Sequence, residues 1–137
     1  MRAPRWLLVI FLTATLCACA PIVQDSSDLL SPDSRWTATL ERVDNGLGFG
    51  QGALYDEVHV SHPHAWRFLW RHGNPDKSVV FYVEVTDTDG NRPTLQWADA
   101  HHLVIKYPDQ NKPGRQFPHF EDITITYDTF PRPPSTK

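Results

Sequence analysis

Residues 78–85 read SVVFYVEV, and this stretch decides the fold of the 137-residue chain. Its apolar side chains at every second position share one face of an extended backbone: Val79, Phe81, Val83 and Val85. A two-residue period in β-branched and aromatic residues is typical of a half-buried strand, because successive strand side chains point to opposite faces. Residues 78–85 are therefore predicted to be the strongest strand.

Other segments repeat this alternation, and turn-forming residues separate them. They are residues 36–41, 54–60, 94–97, 103–107 and 123–127. Their threonine-bearing faces are predicted to be solvated, and the pair Asp89–Gly90 suits a tight hairpin turn. With no clear helical period, the sequence predicts an all-β domain, a single antiparallel β-sandwich or partly open barrel of about six to seven short strands.

Composition excludes several classes of protein. Twelve prolines and seven glycines exclude a coiled coil. A net charge of -3 provides no basic field, so no nucleic-acid partner is expected. The aromatic content of 12% is typical of a folded chain.

Residues 1–20 have the pattern of an export signal. Arg2 and Arg5 precede an apolar run at residues 7–12, and small residues follow. The run is too short for a permanent membrane span, which needs about 20 apolar residues. Both cysteines, Cys17 and Cys19, lie here, so the exported part is expected to have no disulfide and no thiol ligand.

The end of this segment, Leu16-Cys17-Ala18-Cys19, resembles the bacterial lipobox. The resemblance implies cleavage after Ala18 and a covalent diacylglycerol on Cys19, the only cofactor-like group expected. Acyl chains, at about 0.8 kcal/mol per buried CH₂, anchor a domain to a membrane. Ala20 after the lipidated cysteine resembles outer-membrane sorting. The alternative is an ordinary secretory signal cleaved at the A-x-A-like residues 18–20.

These features divide the chain into four segments. Residues 21–34 are rich in Ser, Asp and Pro and have little apolar periodicity, which favours a solvated tether. The predicted segments are a lipoprotein signal peptide at 1–18, a lipidated cysteine and flexible tether at 19–34, a β-sandwich domain at 35–130, and a disordered tail at 131–137.

A second resemblance covers most of residues 31–127. The opening SPDSRW at residues 31–36, and the pair LQWAD and LVIKY at residues 95–99 and 103–107, are similar to those of small uncharacterised bacterial lipoproteins with an SPDG-like opening. Ser34 stands where that opening usually has glycine. The resemblance implies a β-rich envelope domain and supplies no catalytic residue.

Two apolar groups are candidates for a binding surface. Leu47 and Phe49 alternate with glycines in residues 45–52, where they either pack back or form a partner-binding tip. Trp66 and Trp70 lie in residues 65–71, AWRFLWR, which read as a strand or one helical turn. If exposed, they have the composition of a binding hot spot, and if buried they plug the sandwich. Two further tryptophans are predicted core residues: Trp36 and Trp97.

The histidines suggest a metal site as an alternative. His59-x-x-His62-x-His64, with His72 nearby, carries imidazoles, which are common ligands of zinc and copper. Because strand side chains alternate, His59 and His62 are predicted on opposite faces if the strand includes both. Pro63 is expected to end the strand, so that His62 and His64 converge through a turn. The other interpretation is a set of surface histidines.

No motif supports catalysis. The acidic pairs Asp56–Glu57, Asp87–Asp89 and Glu121–Asp122 lie at predicted turns and strand edges and are expected to be solvated, and the serines lack a G-x-S-x-G elbow.

The sequence is therefore interpreted as an envelope-anchored lipoprotein with a non-catalytic β-sandwich binding domain. Its expected partners are the membrane, through the lipid anchor, and an envelope protein. Its expected location is the bacterial outer membrane, facing the periplasm. The alternative is a metal-binding periplasmic protein or metalloenzyme that uses His59, His62, His64 and His72.

Overall fold

The computed structural model describes residues 21–46, 53–63, 78–85 and 91–131, and within these ranges the chain forms nine strands and no helix. In chain order they are β1 (Ile22–Leu30), β2 (Thr37–Asp44), β3 (Leu54–Ser61), β4 (Val79–Glu84), β5 (Thr94–Asp99), β6 (His102–Pro108), β7 (Pro113–Gln116), β8 (His119–Phe120) and β9 (Ile123–Phe130). The all-β prediction is confirmed, and every predicted strand segment overlaps one of these strands.

The strands form two sheets that pack as a sandwich. The first sheet has the order β1-β2-β3-β4-β7, and the second has the order β5-β6-β9-β8. All pairs are antiparallel except β6 and β9, which are parallel. The strand pattern of the sequence did not predict this parallel pair. The cause is β7, since the chain leaves β6, pairs with β4 in the first sheet, and returns to begin β9 beside the start of β6. A parallel pair requires such a crossover, because a tight hairpin only reverses direction.

The core lies between the two sheets. Its buried residues are Trp36, Ala38, Leu40, Val58, Val60, Val80, Phe81 and Val83 from the first sheet and its flank, and Leu103, Ile105, Ile123 and Ile125 from the second. Thr37 and Thr39 of β2 are also buried, so the prediction of solvated threonine faces is wrong for these two residues. Thr39 satisfies its hydroxyl by donating a 2.8 Å hydrogen bond to Asp28.

A β-bulge in β4 decides which of its valines faces the core. Val58 of β3 pairs with Phe81 and His59 pairs with Val79, so Val80 is the extra residue. Val80 is fully buried in the core cluster, whereas Val79 shares the opposite face with His59. The predicted apolar face is therefore correct for Phe81 and Val83, which are both in the core cluster, and wrong for Val79.

The segment predicted as a tether is instead mostly a strand. Residues 22–30 form β1, the edge strand of the first sheet, which pairs with β2 along its whole length. Trp97 of the second sheet donates a 3.1 Å hydrogen bond from Nε1 to the carbonyl of Leu29. Because most of its side chains are exposed, β1 has no apolar periodicity from which the strand could be predicted. The sandwich therefore begins at Ile22 and not at Arg35.

The two ends of the sandwich differ in their contents. At one end, termed the Ile22 end, Ile22 pairs with Asp44 and Asp44 pairs with Leu54, while Pro108 of the second sheet pairs with Phe130. The opposite end is termed the Trp36 end. It brings together the turn before β2, the end of β3, the β5–β6 turn and the β8–β9 turn: residues 31–36, 61–63, 99–102 and 120–123.

The turn that leads from β1 into β2 is fixed by two side chains. The Ser31 hydroxyl donates to Asp33 Oδ1 at 2.6 Å and accepts from the Trp36 amide at 3.0 Å. The hydrogen bond from Ser31 lowers the pKa of Asp33, which also accepts from the Arg35 amide at 3.2 Å. This contribution to stability is present above the ordinary carboxyl pKa and is lost as the pH falls through the lowered value. Ser34 closes the turn with a φ of 58°.

We expect Ser34→Gly to stabilise the fold by about 0.5–1 kcal/mol. A left-handed backbone costs a non-glycine residue about 1–2 kcal/mol, and glycine removes this cost. Part of the resulting stabilisation is offset, because glycine loses more conformational freedom on folding. The measurement is the midpoint of denaturant unfolding. The control is Asp33→Gly, which removes the acceptor of two hydrogen bonds in the same turn and should lower the midpoint. A midpoint for Ser34→Gly at or below that of the parent contradicts the expectation.

Candidate functional site

Four charged side chains near the Ile22 end form an inner ion cluster, in which Asp56 is buried between the sheets and Asp25 lies at the exposed rim. Arg42 makes a bidentate contact with Asp56, with both N–O distances at 2.8 Å. Arg92, which precedes β5, places Nε 3.5 Å from Asp56 and pairs through Nη1 with Asp25. The Asp56 side chain is only 2% exposed, so this carboxylate depends on the two guanidinium groups in place of water.

The register of β2 and β3 creates this cluster. Arg42 follows Ala38 and Leu40 on the inward face of β2, and it lies directly opposite Asp56. Asp56 precedes Val58 on the inward face of β3. The expectation that Asp56 is solvated is therefore wrong, because its strand position directs it between the sheets. The sequence contained a signal for this pair: Arg42 and Asp56 have opposite charges and continue the inward-facing apolar positions of two neighbouring strands.

The contacts of the inner ion cluster favour a structural role, in which charged side chains hold the two sheets together. The hydrogen bond with Asp56 raises the pKa of Arg42 above its ordinary value. A bidentate pair fixes both side chains in one geometry. Through Arg92, the cluster joins β1 and β3 of the first sheet to the residue that leads into β5 of the second.

The described histidines of the predicted metal motif do not converge. His59 lies on the outer face of the first sheet, with Nδ1 3.2 Å from Ser78 Oγ and Nε2 3.4 Å from Glu57. His62 lies at the Trp36 end, where its ring stacks on Trp36 at 3.9 Å and its Nδ1 donates to the Arg35 carbonyl at 3.0 Å. Asp56 and Glu57 separate in the same way, to opposite faces of β3.

No group of three or more His, Cys, Asp or Glu side chains that could hold a metal is found among residues 21–46, 53–63, 78–85 and 91–131. Two histidines of the predicted metal motif, His64 and His72, lie outside these ranges, so the metal alternative stays a prediction where it involves them. The acidic pair Asp87–Asp89 also lies outside the described residues.

The Trp36 end carries an exposed cluster of histidines and carboxylates. His62 Nε2 lies 3.9 Å from Glu121, and His101 Nδ1 lies 3.1 Å from Asp122. Both acids come from the β8–β9 turn, in which Glu121 has a φ of 52°. These pairs are about half exposed, with His101 at 49% and Asp122 at 47%, so they present charge to solvent. As a result the Trp36 end presents these charged pairs over an aromatic base, since Trp36 itself is 1% exposed, and Leu30 at its edge is 54% exposed.

The remaining predicted site residues divide into two groups. Trp36 is confirmed as core, and Trp97 packs against the core while partly exposed. The candidate binding surface and the lipidation site fall outside the described residues: Leu47, Phe49, Trp66, Trp70 and Cys19. These assignments stay predictions.

No protein family, no curated protein and no solved structure matches this chain. In the parts of the chain that the structure describes, no helix is long and apolar enough to cross a membrane. Fold and site together define a class, an all-β sandwich of two sheets with an ion cluster between them.

Proposed function

We propose that the chain is an envelope-anchored lipoprotein whose β-sandwich is a non-catalytic binding domain. The observation that carries this proposal is the position of Cys19. It ends the lipobox-like stretch at residues 16–19 and stands three positions before Ile22, the first residue of the sandwich. A signal of that kind, followed directly by a folded extracytoplasmic domain, has the layout of a lipid-anchored protein.

The binding role is supported by how the described polar groups are used. The buried charges pair with each other inside the fold, and the exposed histidine–carboxylate pairs lie at one end of the sandwich. A rigid sandwich that displays residues on its ends and loops suits recognition. The proposed contacts to an envelope protein are Leu47, Phe49, Trp66 and Trp70, as the sequence predicts.

Lipidation is tested by comparing Cys19→Ala with Cys17→Ala in a bacterial host. The parent and Cys17→Ala are expected to partition with membranes and to carry acyl mass on the N-terminal peptide, whereas Cys19→Ala is expected to lose both. The reason is that only Cys19 becomes the N-terminal residue after cleavage at Ala18. Mass spectrometry of the mature N-terminus is the measurement.

Cys17→Ala is the matched control, since it removes a thiol two positions away from the proposed lipidation site. Acyl mass on the Cys19→Ala protein would contradict the proposal. So would a parent protein that begins after Ala20 and carries no lipid, since that is the product of an ordinary secretory signal.

A further inference from the structure

We infer that the Ile22 end of the sandwich lies against the phospholipid headgroups, and that the Trp36 end points away from the membrane. This inference rests on the proposed lipidation of Cys19. It adds a docking surface to that proposal, with a bilayer surface as its occupant.

The argument begins with the length of chain between the anchor and the first strand. Ile22 is three residues after Cys19, and an extended chain spans at most about 3.3–3.6 Å per residue. The Ile22 end is therefore held within about 10 Å of the lipidated residue. The headgroup layer of one leaflet is itself about 5–7 Å thick, so this end has no room to stand clear of the surface.

This limit on the distance between Cys19 and Ile22 applies to the folded domain because β1 is paired within the sandwich. A free linker over the residues predicted as a tether would give a mean reach of about 20 Å and would leave the domain free to tumble. Instead, residues 22–30 are paired to β2. Arg92, which precedes β5, and Trp97 of β5 both bond to β1. Because β1 is part of a rigid unit, its starting point keeps this part of the sandwich close to the anchor, whereas the other end of β1 extends away from it.

The surface of the Ile22 end is compatible with a headgroup layer. Ile22 is 62% exposed, which makes it the most exposed of the large apolar side chains in the described ranges. It stands beside Asp44, and the β6–β7 turn, farther along the same end, carries Asp109 and Lys112. Among the described residues of this end, an exposed isoleucine together with charges of both signs fits a zwitterionic surface, to which charged groups bond while Ile22 enters the acyl boundary.

The orientation assigns a role to the opposite end. The axis of β1 from Ile22 to Leu30 covers about 26 Å at 3.3 Å per residue, so the Trp36 end stands well above the headgroups. His62, His101 and Asp122 therefore face the space in which a partner approaches. Trp66 and Trp70 follow β3, which ends at the Trp36 end, whereas Leu47 and Phe49 follow β2, which ends at the Ile22 end. Of the proposed partner contacts, this orientation therefore retains Trp66 and Trp70 and not Leu47 and Phe49.

Single thiols report which end meets the membrane. The lipidated protein has its Cys19 sulfur blocked, so one introduced cysteine carries a fluorophore without competition. The variants at the Ile22 end are Asn45→Cys and Asp109→Cys, and the variants at the Trp36 end are Asp33→Cys and Asp122→Cys. All four positions are exposed. The lipidated proteins are reconstituted in phosphatidylcholine–phosphatidylethanolamine vesicles that contain phosphatidylcholine with a nitroxide on its headgroup.

Nitroxide headgroups should quench the labels at Asn45 and Asp109 several-fold more than those at Asp33 and Asp122, because quenching requires close approach. Equal quenching at the two ends, or stronger quenching at the Trp36 end, overturns the inferred orientation. Mass spectrometry of the same preparations reads lipidation separately. If acyl mass is present and quenching is equal, the orientation fails while the proposed anchor stands, and if acyl mass is absent, both fail.

Discussion

Asp56→Ala is expected to destabilise the sandwich by about 3–5 kcal/mol, because it leaves two guanidinium groups without their shared carboxylate. The Arg42 side chain is 13% exposed and that of Arg92 is 23% exposed, so water replaces the lost contacts poorly. The free energy of unfolding, from urea denaturation followed by tryptophan fluorescence, is the measurement. An unchanged slope with a lower midpoint would show that the native fold itself lost stability.

The two partners of Asp56 make a double-mutant comparison possible. Arg42→Met with Asp56→Leu replaces the bidentate pair with apolar groups of similar length, and such replacements are often neutral or stabilising. We therefore expect the double variant to be more stable than Asp56→Ala alone. A double variant as unstable as the single one would mean that the loss does not come from the unpaired charge of Arg42, and would assign it to packing or to Arg92, which also faces Asp56.

Glu84→Gln is the matched control for the carboxylate. It also removes a negative charge from a strand of the first sheet, but Glu84 is exposed at the end of β4. Its effect should stay within about 0.5 kcal/mol. A similar loss for Glu84→Gln and Asp56→Ala would contradict the claim that burial of Asp56 gives the inner ion cluster its importance.

The sequence was sufficient for the fold class because the inner strands bury one face. Val58 and Val60 in β3, like Leu103 and Ile105 in β6, repeat at every second position, and each pair is fully buried. That burial is the physical origin of the two-residue period. Wherever a strand lies between neighbours and covers the core, its pattern can be recognised.

The same reasoning explains what the sequence did not reveal. β1 is an edge strand whose stability comes from backbone pairing and from bonds such as that of Trp97 to the Leu29 carbonyl, neither of which requires an apolar pattern. β7 is four residues long and begins with Pro113, a residue that usually indicates a loop. The bulge at Val80 is a property of the pairing with β3, so it has no signature within β4 itself.

The inner ion cluster shows a third limit. Arg42 and Asp56 could be assigned to inward faces from the alternation of their own strands, but Arg92 and Asp25 come from a loop and from the unrecognised edge strand. Their convergence depends on how the two sheets stack. Pairwise register can be inferred from neighbouring strands, whereas contacts between sheets require the three-dimensional structure.

Phe81→Ala is expected to cost about 3–5 kcal/mol, the range for truncating a buried aromatic residue. Phe81 is fully buried in β4 and reaches across the core, with its ring centroid 5.2 Å from that of Tyr107 and 5.7 Å from that of Tyr127. Truncation leaves a cavity that the second sheet cannot fill easily, because the Tyr127 hydroxyl is itself held between two carbonyls, 2.8 Å from that of Phe117 and 3.2 Å from that of Val80. Urea denaturation gives the free energy.

Two further variants separate cavity formation from loss of strand pairing. Phe81→Leu keeps an apolar side chain that fills much of the space, so it should retain clearly more stability than Phe81→Ala. Glu84→Ala, an exposed truncation on the same strand, should change the free energy of unfolding by about 0.5 kcal/mol or less. If Phe81→Leu is as unstable as Phe81→Ala, the aromatic contacts with Tyr107 and Tyr127, and not the filled volume, hold the two sheets together at this point.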